Sequence, residues 1–416
     1  MRILWVKVGG LWPLTAGGRL RSFHLLSELS QRHRVVVLTT HGPGDDPQGL
    51  AAALPHCERV VSTPHMASKQ GSGRFAATLL RSWLSPFPVD FWRWQVPALS
   101  NLVRRTIEAG GIDLCVADFL VTTPNVPLPG PVPTVLFAHN VEHIIWKRLS
   151  QVDRPVWERV VLGWEWRKVR RWEARVSAQT QLTVAVSDVD HALLADLAAG
   201  ARVRSIPTGV DPVYFAPNGK SEAPTELVFT GSMDWYPNED AITHFIDAIL
   251  PAIRREIPQV GLTVVGRNPT DRLRRAAAAA DVRVTGTVDD VRPYVSKAAV
   301  YVVPLRIGGG TRLKIFEALA MGKPVVSTGV GAEGLPLEPG VHFLRADEPA
   351  EFARAVVSLL GDPGRRKALA MAGRRLIEER FSWAQVAREF EARCLEVVPA
   401  VTRQQDQREG SAHPCA

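Results

Sequence analysis

The densest chemistry in this chain of 416 residues lies in the run Gly308-Gly309-Gly310-Thr311-Arg312-Leu313-Lys314-Ile315-Phe316-Glu317. Consecutive glycines let a backbone turn sharply and approach a ligand with no side chain in the way. The residues after them read as a helix, whose first turn offers unpaired N–H groups and the positive end of its dipole. A diphosphate suits such a place. Gly309, Gly310 and Thr311 would line it, Arg312 and Lys314 would add charge in the first turn, and Arg306 or Arg267 would be cations in reserve. Glu317, farther along the helix, has the type and position to take the hydroxyl pair of a ribose. A bare glycine run is more often a plain turn between strand and helix. Here cations, a carboxylate and a strand-loop-helix context coincide.

The elements that must hold this loop are visible as short apolar runs between turn residues. Residues 2–8, 34–39, 114–117, 134–138 and 182–186 read as buried strands in the first half, and 226–230, 262–265, 282–285, 299–303 and 324–327 in the second. Between the first two strands, residues 20–30 have helical spacing, with Phe23, Leu26 and Leu29 or Leu25 on one side. Near-continuous apolar strands separated by helices are the mark of parallel sheets covered on both faces. The pattern runs twice, so the expected organisation is α/β throughout: a Rossmann-like domain over 1–206, a Pro/Gly-rich linker over 207–225 and a second Rossmann-like domain over 226–380. A helix at 381–400 is expected to pack back on the first domain, and 401–416 is expected to be a disordered tail.

Composition narrows the remaining choices. With 46% hydrophobic and 22% charged residues the chain is an ordinary globular protein, too long for one core. Its four cysteines are scattered, with no zinc spacing and no disulfide framework. No apolar run approaches the roughly 20 residues of a membrane span, and residues 1–8 read as a first strand, so a cytoplasmic location is expected. The net charge of +8 favours polyanionic partners. No zinc-finger or RNA-recognition signature accompanies it, and nucleic acid is not the expected partner. Residues 144–179 interleave Trp146, Trp157, Trp164, Trp166 and Trp172 with many Lys and Arg. That mixture suits peripheral contact with a membrane, possible at the inner face of the cell membrane. It equally suits a long surface helix whose tryptophans pack inward and whose Glu165 and Glu173 pair with cations, and the absence of a clean apolar face favours packing.

The run from Glu317 through Gly322-Lys323-Pro324-Val325-Val326 resembles the second half of the Glu-seven residues-Glu motif of glycosyltransferase family 4, retaining enzymes of the GT-B fold. The resemblance extends over nearly the whole chain. Gly17-Gly18 after the first strand, His139 after a buried strand, Val186-Ser187, Thr208-Gly209-Val210-Asp211, Gly231-Ser232-Met233, Val264-Val265-Gly266-Arg267 and Gly286-Thr287-Val288 follow the family's order. The first glutamate of the motif falls on Gly309, which marks a GGGTRLK branch, and Ser232 and Asn238 stand where the family usually has an Arg and a Lys.

What the resemblance implies is a fold of two Rossmann-like domains whose parallel sheets face a central cleft. It also implies sugar transfer from a nucleotide diphosphate-sugar, used as co-substrate with no resident cofactor and no metal, to a glycan, lipid-linked or small-molecule acceptor. His139 and Glu317 would be catalytic, His139 facing the reacting sugar and Glu317 the ribose. Gly17 and Gly18 would approach the diphosphate, and Gly231, Arg267, Thr287 and Val288 the nucleotide. The rival readings are a sugar-nucleotide epimerase on the same fold and a non-catalytic scaffold at a membrane. A nicotinamide enzyme is disfavoured, because Gly9-Gly10 and Gly17-Gly18 do not make a GxGxxG fingerprint.

Overall fold

The computed structural model describes residues 1–14, 17–68, 72–151, 156–219, 221–233, 235–307 and 313–398, apart from the side chains of Val156 and Trp157. The chain divides into two units, one comprising Met1–Pro207 and the segment that begins at Val386, the other Thr208–Gln385.

The first unit is built on strands β1 (Arg2–Lys7), β2 (Arg34–His41), β3 (Arg59–Pro64), β4 (Leu114–Asp118), β5 (Thr134–Phe137), β6 (Leu182–Ala185) and β7 (Val203–Ser205). They form one sheet in the order β3-β2-β1-β4-β5-β6-β7, and every pairing is parallel. β4, β5 and β6 are buried along their whole length, as strands with both faces covered must be. The register sets Lys7 beside Asp118 and Asp118 beside Phe137, so the carboxyl ends of β1, β4 and β5 finish level.

The first helix, Gly17–Ser30, starts three residues before the predicted run and includes both glycines. Its buried stripe is Arg21, Ser22, Leu25, Leu26 and Leu29. Phe23, predicted to share that stripe, lies to one side and packs on Trp12 instead, ring centroids 5.3 Å apart. The helix Trp383–Leu395 supplies the last piece of this unit's core. Val386, Ala387, Phe390 and Cys394 are buried with Trp5 and Phe137, and Phe390 lies 5.6 Å from Trp5 and 5.2 Å from Phe137. A phenylalanine buried this completely stabilises its core by about 2 to 3 kcal/mol.

The second unit carries β8 (Ala223–Thr230), β9 (Gly261–Val265), β10 (Arg283–Val284), β11 (Ala298–Val303), β12 (Val325–Ser327) and β13 (Leu344–Arg345), again a wholly parallel sheet, in the order β10-β9-β8-β11-β12-β13. The predicted linker 207–225 is largely part of this unit. Val210 is buried with Phe381, its N–H donates to the Phe381 carbonyl at 2.8 Å, and β8 already begins at Ala223. A Cβ on Gly209 would fall 2.5 Å from Trp383, so the segment lies flat on that indole only because the residue is glycine. Among the described residues no helix is long and apolar enough to cross a membrane.

Candidate active site

In the second unit the carboxyl ends of β8 and β9 close on each other through two glycines. The N–H of Gly231 donates to the carbonyl of Val265 at 2.9 Å, and a Cβ on Gly266 would lie 1.7 Å from the Gly231 carbonyl oxygen. Into this turn reaches Lys314, from the first turn of the helix Leu313–Ala320. Its ammonium donates to Asn238 Oδ1 at 2.8 Å and sits 4.1 Å above the ring of Phe229. Asn238 is buried, and its amide donates in turn to the Ser232 carbonyl at 2.8 Å. A Cβ on Gly231 would meet Lys314 Nζ and Asn238 Nδ2 at 2.8 Å each, so a side chain there would displace the cation. Arg267 joins the turn as well, its Nε donating to Ser232 Oγ at 2.7 Å.

Glu317 lies one turn beyond Lys314 on the same helix. Burial pushes its carboxyl up from 4.5 to about 7, and the nearby Lys314 charge offsets part of that rise. Its charge is also felt by Tyr301, whose hydroxyl is raised above its usual range chiefly by burial and is hydrogen-bonded to Thr230. The structure therefore brings Gly231, Arg267, Lys314 and Glu317 to one end of the sheet. Arg306 is held differently, in a two-pronged pair with Asp240 at 2.6 and 3.0 Å. Thr287 and Val288 follow β10, after Gly286 at φ +73°, with Thr287 exposed and Val288 half-buried against the apolar core of this unit. Gly309, Gly310, Thr311 and Arg312 lie outside the described residues.

The first unit has a charged cluster of its own at the level carboxyl ends of β1, β4 and β5. Asp118 accepts Trp5 Nε1 at 2.9 Å, pairs with Lys7 Nζ at 3.2 Å and binds His139 Nε2 at 2.6 Å. Arg21 NH1 is 3.3 Å from His139 Nδ1. Since the guanidinium only donates, Nδ1 accepts and the ring proton sits on Nε2, facing Asp118. All five of these side chains are buried. Burial pushes His139 down to about 3, against the pull of Asp118, so the imidazole is neutral. It lowers Lys7 to about 8 and Arg21 to about 10 in the same way. Burial alone would raise Asp118, but Lys7 and the bond from His139 hold it well below the usual carboxylate range.

Phe119 adopts φ 73°, a conformation that a side chain of this size rarely takes, and its ring stacks on His139 with centroids 3.8 Å apart. Lys7 lies 4.0 Å over the same ring. Gly18 is the reason the ring fits, because a Cβ there would come within 2.5 Å of it. Gly17 opens the helix and is exposed. Both nitrogens of His139 are thus occupied by protein, and what it offers a ligand is its place in a fixed, polar strand end.

Beside this cluster Glu142 is pushed up to about 7 by burial and then by the charge of Glu173. Glu173 accepts the N–H groups of Glu142 and His143 at 2.9 and 3.0 Å and His143 Nδ1 at 2.7 Å. Lys7, Arg21, Asp118 and Glu142 were not picked out from the sequence. The usable signal was a charged residue closing an otherwise apolar strand, Lys7 as the last residue of β1 and Asp118 as the last of β4, where α/β folds gather their ligands.

The Trp/Arg-rich segment forms the helices Glu142–Gln151 and Val156–Gln179. Trp172 packs on Phe87 and Phe91 and donates to Thr123 Oγ1 at 3.1 Å. Glu165 is buried and pairs with Lys168 at 2.8 Å, whereas Glu173 serves the His143 turn. Packing accounts for these residues, but Val160 and Trp164 face outward, as do Leu80, Trp83 and Leu84.

The two halves each match a known family. Residues 16–214 match a model described as Glycosyltransferase Family 4, and residues 224–362 one described as Glycosyl transferases group 1. The chain belongs to the group 1, family 4 glycosyltransferases. The transferase is 26% identical over 310 residues to a phosphatidyl-myo-inositol mannosyltransferase of Mycobacterium leprae, across 70% of this chain and 75% of that protein. It is 26% identical over 420 residues to a glycogen synthase of Mycobacterium tuberculosis, across 93% and 92%. Among solved structures, sucrose-phosphate synthase from Thermosynechococcus elongatus superposes with a TM-score of 0.66 at 17% identity over 94% of this chain and 97% of that one. HepE from Anabaena, in complex with UDP and glucose, gives 0.63 at 14% over 94% and 98%. The shared fold is GT-B, two units of parallel sheet and helices.

Proposed function

We propose that the transferase is a retaining, metal-independent hexosyltransferase that moves a sugar from a nucleoside diphosphate-sugar to a glycan, lipid-linked or small-molecule acceptor in polysaccharide or glycoconjugate biosynthesis. The observation that carries this reading is Lys314, whose ammonium is fixed by Asn238 over the Gly231–Ser232 turn. When the anomeric C–O bond breaks, its electron pair stays on the diphosphate, and a fixed cation there stabilises the charge as it forms. The acceptor oxygen then bonds the sugar carbon on the face the diphosphate leaves, and the acceptor proton passes to a diphosphate oxygen. Glu317 in its ionised form accepts the ribose hydroxyls. In the first unit, Asp118, Lys7 and Arg21 fix His139 as a neutral imidazole at the strand end where an acceptor would be received.

A relative from Mycobacterium tuberculosis that is GDP-mannose-dependent and the UDP-bound HepE point to two different nucleotides. Thermal-shift screening of UDP-, GDP- and ADP-sugars followed by acceptor trials decides between them. If Lys314→Ala and Glu317→Ala both transfer sugar at the wild-type rate, the donor assignment is wrong. Conversion of the donor to its epimer without acceptor would establish the rival activity.

The outward apolar residues support contact with an anionic lipid surface. Trp83 and Leu84 adjoin Ser82, and Trp164 adjoins Glu165. Ser82 Oγ donates to Glu165 at 2.9 Å, which ties the end of the helix Gly73–Trp83, with Leu84 just beyond it, to the helix Val156–Gln179.

A further inference from the structure

The second unit contains a cavity of about 400 Å³ at the other end of the helix Leu313–Ala320 from Lys314. Its walls include Gly322 and Pro324, which follow that helix, and Arg366, Lys367, Met371 and Arg374 on the helix Pro363–Arg380. The size suits a small metabolite. The charges on the wall do not cancel. Glu222 is taken by Lys323 at 2.5 Å, and Arg374 by Glu378 at 2.5 Å. Arg366 and Lys367 are left without an acidic partner among the described residues. Arg366 is only 9% exposed. One of its terminal nitrogens is used on the carbonyls of Leu359 and Leu360 at 2.8 and 2.9 Å, and its Nε has no hydrogen-bond partner among the described residues. A buried cation of this kind is costly unless something negative meets it. Beside it Met371, 62% exposed, and three prolines make an apolar wall.

The cavity is mechanically joined to the donor helix. Arg374 NH1 donates to the carbonyl of Ala320, the last residue of Leu313–Ala320. Gly373 is packed so closely that a Cβ would lie 2.6 Å from Leu319. Eight residues of helix span about 12 Å, so a shift at Ala320 is felt at Lys314 and Glu317.

We propose that this cavity is a second ligand site, for a phosphate monoester with an apolar body, and that filling it changes donor affinity through the helix Leu313–Ala320. The phosphate would be held by Arg366 and Lys367, and the body would lie on Met371 and the prolines. Binding is measured by calorimetry with phenyl phosphate, glycerol 3-phosphate and inorganic phosphate on the full chain, on the exposed-residue variants Lys367→Glu and Met371→Glu, and on Lys314→Ala. The expected result is saturable binding with phenyl phosphate the tightest, weakened about tenfold or more by Lys367→Glu. Met371→Glu should erase the preference for the phenyl group, and Lys314→Ala should leave binding intact. No saturable binding, or equal binding by wild type and Lys367→Glu, overturns the site. Loss of binding in Lys314→Ala overturns it too, because the probe is then in the donor site. The coupling arm rests on the donor assignment above and the binding arm does not. It is read as a change of about fivefold or more in nucleotide affinity when phenyl phosphate saturates the cavity. Binding without that change refutes the coupling alone.

Discussion

Lys314 and Asn238 form a single donor unit: the ammonium is 2.8 Å from Asn238 Oδ1, and both side chains press against the space a Cβ on Gly231 would need. The cation that resemblance to the family places near Asn238 arrives instead from the helix Leu313–Ala320. Lys314→Ala is expected to weaken nucleoside diphosphate binding about 10- to 100-fold, the effect of one charge-assisted contact. Asn238→Ala, which leaves the charge but frees it, should cost less. Calorimetric titration with UDP and GDP measures both, and equal affinity for wild type and Lys314→Ala would remove the lysine from the site.

Glu317 makes donor binding sensitive to pH near neutrality. Its carboxyl is raised to about 7 in the free protein, and only the ionised form accepts both ribose hydroxyls, so affinity should climb as pH passes upward through 7. The folded state holds this proton more tightly than the unfolded chain does. The group's contribution to stability is therefore full below about 4.5 and is lost as pH rises through 7. Glu317→Gln should flatten both profiles, and a binding curve with the same inflection in Glu317→Gln rules out the assignment.

The His139 cluster predicts the opposite slope in acid. His139 is depressed to about 3 and Asp118 is held low. The unfolded chain therefore binds more protons below pH 6.5, and stability falls as pH falls from there. His139→Asn should reduce the loss between about 6.5 and 4, leaving the part due to Asp118. Urea midpoints at a series of pH values test it, and an unchanged slope in the variant would contradict the neutral, buried imidazole.

Gly266→Ala is a packing test of the donor turn. The added methyl meets the backbone carbonyl of Gly231, which cannot rotate aside. A destabilisation of about 1 to 3 kcal/mol, toward the upper end, is expected from urea unfolding. Gly44→Ala, with nothing within 4 Å of its Cβ but φ +83°, gives the cost of backbone strain alone for comparison.

Lipid contact is checked by co-sedimentation with vesicles rich in phosphatidylglycerol. Leu84→Glu and Trp164→Glu should each reduce the bound fraction severalfold, since each removes exposed apolar area and adds a like charge to the surface. Binding that survives both substitutions would place the contact elsewhere.

Much of this could be read in advance, for a physical reason. Strands such as β1, β4 and β11 are buried on both faces, so their sequences are unbroken apolar runs. β3 was missed because it is half-exposed throughout, and β7 and β13 because three and two residues leave no pattern. In the donor site, Lys314 and Glu317 stood out because their charges follow a strand and a glycine run on one helix, and Gly231 through the resemblance to the family. Around His139, which the resemblance had singled out, the partners Lys7, Arg21 and Asp118 were hidden, since they come from separate elements and only the fold brings them together. The misread linker failed on composition: Pro207, Gly209 and Pro212 signal irregular backbone, and irregular backbone can still be firmly packed, as Val210 is on Phe381.

The path of the chain also sets an order of assembly. The second unit is contiguous, Thr208–Gln385, whereas the first takes Phe390 and Cys394 into the core that holds Trp5 and Phe137. A chain emerging from the ribosome makes most of the first unit at the start but cannot complete it until the helix Trp383–Leu395 is free. For most of synthesis Trp5 and Phe137 are left with their covering helix unmade, and the later-made unit is the first able to finish. A stop codon shortly before Val386 would therefore damage the half of the protein that was translated first.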